Sequence, residues 1–308
     1  MQAHFPGDHV LKHLNAAPVF PARVVVIGAG GFIGGALIKR LAQGGVPVAA
    51  LTRREVDLLT PEAAKTLAAT LRPDDVVVAA AAQAPCKNAR MLANNLVMAA
   101  AIVEALAISP VAHVVNVSSD AVYADSPNPL AENSLTAPDT LHGVMHLARE
   151  LAFRSEVKTP LAIVRPTLLY GAADPHNGYG PNRFRRLANA GNDIVLFGKG
   201  EERRDHVFID DLADLIARII ARRSIGLLNI ATGNVHSFRD IADLVVAQSP
   251  RKVAIKETPR SGPMPHNGVR PFDVGACRSA FPDFNYTPIA AGAAEAQAQE
   301  FGTGNGGV

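Results

Sequence analysis

The chain has 308 residues, 48% of them hydrophobic, and 30 Lys and Arg against 28 Asp and Glu give a formal charge of +2. That suffices for a large core in one large domain or two modest ones, and with no dense basic run it argues against a nucleic-acid partner. Cys86 and Cys277 form no CxxC pair, which argues against a structural zinc site or a disulfide framework and suits a reducing cytoplasm.

Residues 1–22 carry His4, Asp8, His9, Lys12 and His13 but no continuous apolar segment, so they read as an N-terminal extension and not as a secretory signal. Arg23–Ile27 is a short β-branched run ending at a glycine cluster, and Phe32–Gln43 then shows helical apolar spacing up to Gly44 and Gly45. Val46–Leu51 predicts a second strand, Pro61–Leu71 a helix opened by Thr60 and Pro61, and Asp75–Ala82 a third strand. The apolar run Val76–Ala82 is far short of the roughly 20 residues a membrane span needs, and none is expected. The spacing then predicts a helix over Met91–Ile108, a strand over Val111–Val117, a helix over Leu141–Ser155 and a strand over Leu161–Val164. Such alternation implies an α/β fold: a Rossmann-like, doubly wound parallel sheet covered on both faces.

From Gly171 to Asn182 the chain turns rich in Gly, Pro and Asn, and a helix near Phe184–Asn189 and a strand Ile194–Phe197 follow. Val207–Ala221 predicts a helix with Asp210 and Asp211 in its first turn, and Gly226–Ile230 a strand returning to the main sheet. The expected division is an extension over 1–22, a dinucleotide-binding domain over 23–172 and 205–232, and a smaller, discontinuous C-terminal substrate region over 173–204 and 233–301. Residues 302–308 have too little apolar surface to fold.

Gly28, Gly31 and Gly34 stand in a G-x-x-G-x-x-G pattern between the first strand and helix. Glycines there let the backbone turn tightly and approach a pyrophosphate held by the free N–H groups of the helix N-terminus. A glycine-rich turn without a ligand is the plainer alternative. The end of the second strand reads Leu51, Thr52, Arg53, Arg54 with no acid to hold a ribose 2′-hydroxyl, which favours a 2′-phosphate and so NADP over NAD. Solvated loop charges are the competing reading.

With these come Asp57 and Leu58, Ala79–Ala82, Asn95, Ser118–Tyr123, Arg165 and Pro166, and Arg204, Asp205 and His206, in an order that resembles the extended short-chain dehydrogenases/reductases. More narrowly, the chain is similar to the NAD(P)-dependent nucleotide-sugar epimerase/dehydratase/reductase family, from about Arg23 to Phe301. That resemblance implies a cofactor site formed by Gly28, Gly31, Phe32, Ile33, Gly34, Thr52, Arg53, Arg54, Asp57, Leu58, Ala80, Ala81, Asn95, His146 and Pro166. It also implies a homodimer, in which the apolar faces of 94–108 and 141–153 would pair across a twofold axis.

The family's Ser/Thr that binds the reacting oxygen corresponds to Ser119. Its Tyr-x-x-x-Lys pair falls on Pro138–Glu150, where His142 stands for Tyr and His146 for Lys, and no tyrosine of this chain has a Lys four residues later. A phenol with a reference pKa near ~10 needs a nearby cation to share its proton at neutral pH; an imidazole near ~6.5 does not. His142 is therefore expected as acid/base, Ser119 as orienter of the substrate oxygen and His146 as a contact to the nicotinamide ribose. Two other readings compete. HxxxH can hold zinc, but Gly143 stands where H-E-x-x-H has Glu and no third ligand is evident, so no metal is expected. The altered pair could also mark a silent, cofactor-binding sensor.

On the substrate side the resemblance implies that Arg204 and Arg270 grip the diphosphate of a nucleotide sugar, with Gln83, Asp120, Tyr123, Asn182 and Arg183 lining the cleft. Dehydration is disfavoured because Ser119-Asp120-Ala121 lacks the Glu of the dehydratases. Leu168 stands where relatives often carry a sugar-contacting Asn, which weakens an ordinary 4-epimerase. Epimerisation through a keto sugar, or net reduction or oxidation, remain.

Overall fold

In the computed structural model, which describes residues 10–302, Val24–Ile27 is buried on both faces and forms strand β1. Helix α1 (Phe32–Gln43) turns Gly34, Leu37 and Leu41 inward and stops at Gly44. Then follow β2 (Val48–Leu51), α2 (Ala63–Ala68), β3 (Val76–Ala79), α3 (Ala89–Ile108), β4 (His113–Val117), α4 (Leu141–Glu156), β5 (Leu161–Pro166) and β6 (Leu168–Tyr170). The remainder is α5 (Pro181–Asn189), β7 (Ile194–Phe197), β8 (Arg203–Phe208), α6 (Ile209–Ala221), β9 (Gly226–Ile230), β10 (Val235–Ser237), α7 (Phe238–Gln248), β11 (Ile255–Thr258), β12 (Val269–Arg270), α8 (Gly275–Ala280) and α9 (Ile289–Phe301).

Six strands make one parallel sheet in the order β2-β1-β3-β4-β5-β9, the doubly wound architecture expected from the alternation. Val26, Val78, Val115 and Val164 face α1 and α6; Val25, Val77 and Val114 face α2, α3 and Phe153 of α4. Because each strand has an apolar layer above and below, its residues read as continuous apolar runs, not as an alternation. Strand order reverses at β1, between β2 and β3, and a crevice opens there at the carboxyl ends of the strands.

A second sheet, β10-β8-β12 with β6 beside β8, corrects one boundary: Arg203–Phe208 is strand, and the helix expected from Val207 begins at Ile209. Pairing with β6, β10 and β12 captures these residues, and helical periodicity cannot report such long-range partners. β7 and β11 form a small two-stranded sheet, packed with α5 and α7 around Phe184, Leu196, Phe238 and Ile241.

Helix α3 is long and apolar enough, by length and composition, to cross a membrane. Here Met98, Ala99, Ile102, Val103 and Leu106 are core, and it packs against α2 and α4. From residue 10 on, the N-terminal stretch is docked: Leu11 N–H donates to Leu227 O at 2.9 Å, Lys12 N–H to Ile225 O at 2.9 Å, and His13 bridges Ser224 and Ala280. The rest of the expected extension, residues 1–9, and the expected tail from 303 on lie outside the described residues.

Candidate active site

The crevice beside β1 is a cavity of about 620 Å³ lined by the glycine loop, the β2 end (Leu51–Arg54 and Val56–Leu59), Ala80–Gln83 and Met98. Gly28 has φ +93°, and a Cβ there would meet the backbone of Ala80 and Ala81 at 2.7–2.9 Å. A side chain on Gly34 would strike the Gly28 carbonyl. Gly28 is thus required for the β1 loop to pass against the β3 end, and Gly34 for α1 to pass against the β1 loop. Gly31 caps α1 with no side-chain hydrogen bond and no acid in the first turn, leaving the N–H groups to an anion. This cradle fits a dinucleotide's pyrophosphate. Phe32 and Ile33 open the same helix, and Pro166 ends β5, buried.

At the end of β2 the acid-free expectation is overturned. Glu55 folds back so that Thr52 donates to its Oε2 through both N–H (2.8 Å) and Oγ1 (2.5 Å). These bonds from Thr52 hold the Glu55 carboxyl below its ordinary pKa range. The Thr-x-x-Glu spacing, which lets a carboxylate reach back to an N–H three residues earlier, is the signal in the sequence. Arg53 donates to Asp57 at 3.1 Å, Asp57 also accepts from Leu59 N–H, and Leu58 is buried beside them. Arg54 is exposed and has no ion-pair partner among the described residues.

Asn95 is fully buried and consumed by the loop after β3: its Oδ1 accepts from Gln83 N–H at 2.8 Å, and its Nδ2 donates to Gln83 O and Met91 O. It positions that loop. The Gln83 side chain in turn accepts from Asn94.

The histidine helix is held against the Ser119 turn by a glycine. Thr140 caps α4 through Gly143 N–H at 3.1 Å, and a side chain on Gly143 would strike the Ala121 carbonyl. His142 consequently flanks the 3-10 turn Asp120–Val122, whose cap Ser119 accepts from Ala121 N–H at 3.2 Å and donates to Asp120 at 3.3 Å. Cys86 N–H donates to His142 Nδ1 at 3.4 Å, so Nδ1 faces a donor. Burial pulls the His142 pKa down, Asp120 pulls it part of the way back, and His176 pushes it down again. His146 is 6% exposed and meets His142 edge-on at a ring distance of 4.7 Å. Burial, then His142 and Arg149, keep it neutral at physiological pH.

On the substrate side, parallel pairing of β8 and β12 brings Arg204 and Arg270 into register as direct neighbours. Both are buried, and both already hold acids. Arg204 pairs with Glu202 at 2.5 Å and donates to Arg203 O and Pro265 O; Arg270 pairs with Asp120 at 3.1 Å and Asp125 at 2.8 Å. His266 Nδ1 donates to Asp125 at 2.5 Å. Burial opposes the Asp125 charge, yet His266 and Arg270 hold its carboxyl below the usual range.

Two expected substrate residues are turned to structure. Tyr123 is 3% exposed, accepts from Arg165 at 2.8 Å and donates to Asn229 at 2.7 Å, beside the buried Arg165–Glu150 pair. Asn182 ties its amide to Gly171 N–H and Leu169 O. A buried polar group must find a partner, and these found theirs inside the fold. Arg183 is exposed on α5. Sequence reasoning missed Glu55, Cys86, Asp125, Arg149, His176, Glu202 and His266; Cys86, Asp125, Arg149 and His266 find partners in distant segments.

Residues 24–231 match the family described as NAD dependent epimerase/dehydratase. The chain belongs to that family. Within the epimerase/dehydratase family it is 28% identical over 251 residues to UDP-glucose 4-epimerase of Mycolicibacterium smegmatis, covering 71% of this chain and 80% of the relative. It is 26% identical over 276 residues to dTDP-4-dehydro-6-deoxy-D-allose reductase of Streptomyces bikiniensis, covering 77% and 84%. Its fold superposes on a GDP-L-fucose synthetase from Naegleria fowleri bound to NADP with a TM-score of 0.79, at 16% identity over 94% of this chain and 96% of that one. The homologues are NAD(P)-dependent sugar-nucleotide epimerases and reductases of the extended short-chain dehydrogenase/reductase type.

Proposed function

We propose that this protein is an NADP-dependent reductase or epimerase of a nucleotide-diphosphate sugar, in which His142 does the proton chemistry of the family's tyrosine. The observation that carries it is the close seat of α4, the helix of His142, on the turn of Ser119 and Asp120, made by Gly143. A bound nicotinamide would supply or take up the hydride. Gly28, Gly31, Gly34 and the N-terminus of α1 would hold the pyrophosphate, and Arg54 the 2′-phosphate.

Ser119 Oγ would orient the reacting sugar oxygen. As imidazolium, His142 would give one proton to the carbonyl oxygen of a keto sugar as hydride arrives and return to the neutral ring; in the oxidising direction the neutral ring would take that proton as base. The neighbouring Arg204 and Arg270 would take the diphosphate in exchange for Glu202, Asp120 and Asp125. Exposed Leu96, Val97 and Ile108 on α3, with Leu141, Val144 and Leu151 on α4, would pair with a second copy; a monomeric mass in solution would refute that pairing.

A panel of nucleotide sugars, oxidised and keto, incubated with NADP(H) and NAD(H) tests the activity. His142→Phe is expected to remove turnover while the NADPH dissociation constant stays within about twofold. Undiminished turnover refutes the assigned role, and tighter binding of NAD than NADP refutes the cofactor preference.

A further inference from the structure

Arg149 lies on α4 three residues past His146, on the same side of the helix. It is 1% exposed, and no carboxylate pairs with it among the described residues, since the adjacent Glu150 is taken by Arg165. Among the described residues its one hydrogen bond runs from Nη1 to Ala81 O at 2.5 Å, and Nε and Nη2 have no partner. Burial lowers the guanidinium to about 10, so it is still charged at neutral pH. A buried cation without a counter-charge is costly and has to be held in place by the rest of the fold.

The placement suggests what it does. Ala81, whose carbonyl it holds, lines the dinucleotide cavity, and the Ala81 backbone is the surface against which Gly28 packs. One turn back on the helix stands His146, neutral, at the motif position where a lysine would carry a permanent charge. We propose that Arg149 is a positioning residue that supplies from below the cleft the fixed positive charge a lysine at 146 would have supplied, while pinning the Ala81 crossing of the glycine loop. In a poorly polarisable interior a fixed charge acts over a longer range than it would in water, so it need not touch the ligand. The proposal rests on reading α4 as the catalytic helix, but its test does not depend on turnover.

The measurement is an NMR titration of the His146 imidazole in cofactor-free protein, assigned by comparison with His146→Gln, together with NADPH affinity. Arg149→Gln keeps a donor for Ala81 but removes the charge; Arg149→Lys keeps the charge. The glutamine variant is expected to raise the His146 pKa by about one unit and weaken NADPH about tenfold, and the lysine variant to restore both. An unchanged His146 titration in Arg149→Gln, or a lysine variant that behaves like the glutamine one, overturns the proposal. Should Arg149→Gln not fold, Arg149→Lys decides alone: parental titration and affinity support the proposal, and tenfold weaker NADPH binding overturns it. Failure of His142 as acid/base would instead show as turnover persisting in His142→Phe, whatever the Arg149 variants do to the His146 titration.

Discussion

Arg270 grips the residue that follows Ser119: its Nε donates to Asp120 Oδ2 at 3.1 Å and its NH2 to Asp120 O at 2.8 Å. The guanidinium proposed to bind a substrate diphosphate is therefore bonded directly to the turn that carries Ser119. Binding at one end of the proposed substrate would be mechanically tied to geometry at the other, which is how remote binding energy can be used for orientation.

Asp125 competes for that guanidinium from a half-exposed position, so a ligand phosphate has to displace a carboxylate. Asp125→Asn is expected to lower KM for a nucleotide sugar several-fold with kcat little changed, whereas Arg270→Met, by removing charge-assisted bonds worth about 1.5–3 kcal/mol, is expected to raise KM roughly ten- to a hundredfold. Steady-state kinetics of both variants checks the pair. A rise in KM in Asp125→Asn would show that the carboxylate serves the ligand and does not exclude it.

Glu55 and Arg54 pull cofactor choice in opposite directions. An acid at the β2 end repels a 2′-phosphate, and an unpaired guanidinium attracts it. Glu55→Gln is expected to tighten NADP binding several-fold and leave NAD unchanged or weaker; Arg54→Ala is expected to weaken NADP alone. Fluorescence titration with both cofactors decides, and equal effects on the two would count against a 2′-phosphate at this place.

Gly28 and Gly30 differ although they are neighbours in one motif. At Gly28 an alanine would sit at φ +93° and press on the Ala80–Ala81 backbone, so Gly28→Ala is expected to cost roughly 2–3 kcal/mol and abolish cofactor binding. At Gly30 a Cβ meets only Thr52 Cγ2 at 3.7 Å, and Gly30→Ala is expected to leave stability unchanged or raise it by about 0.4–1 kcal/mol. Urea midpoints for the two variants give the comparison.

Stability should fall on mild acidification. Burial lowers His113 to about 4 and His206 to about 3, and lowers His142 and His146 as well. Below pH ~6.5 the unfolded chain binds protons that the folded chain refuses, so stability rises with pH from about 4 to about 6.5 and is lost as pH falls through that window. At pH 5 each of His113 and His206 accounts for roughly 2 kcal/mol of that loss. Urea unfolding at pH 7.5, 6 and 5 measures it, and His206→Phe is expected to flatten the slope. A pH-independent midpoint would contradict the burial of these rings.

The parallel sheet and the glycine loop were legible because their signals are local: a β-branched run, the three motif glycines Gly28, Gly31 and Gly34, and an apolar helix lie within Val24–Gln43. The two arginines were legible as types, but their adjacency depends on the register of β12 against β8, between residues 66 apart in sequence that no periodicity links. Asn95, Tyr123 and Asn182 show the opposite failure. Each is a polar residue in a motif, and whether it faces a ligand or the protein depends on which backbone groups the fold leaves for it. Arg149 was illegible for the same reason: helix spacing reveals its side of α4, but the lack of a counter-charge is a property of the assembled interior.

The strap formed by Val10–Lys12 beside Leu227 and Ile225 shields the rim of the last strand, where unpaired peptide groups would otherwise await a partner. A shortened chain beginning at Arg23, as motif boundaries alone would suggest, would keep the dinucleotide loop intact but bare that rim and strip Ser224 and Ala280 of their histidine bridge. Such a truncation invites self-association strand to strand, so fragments meant for solution work should retain the residues from Val10 onward.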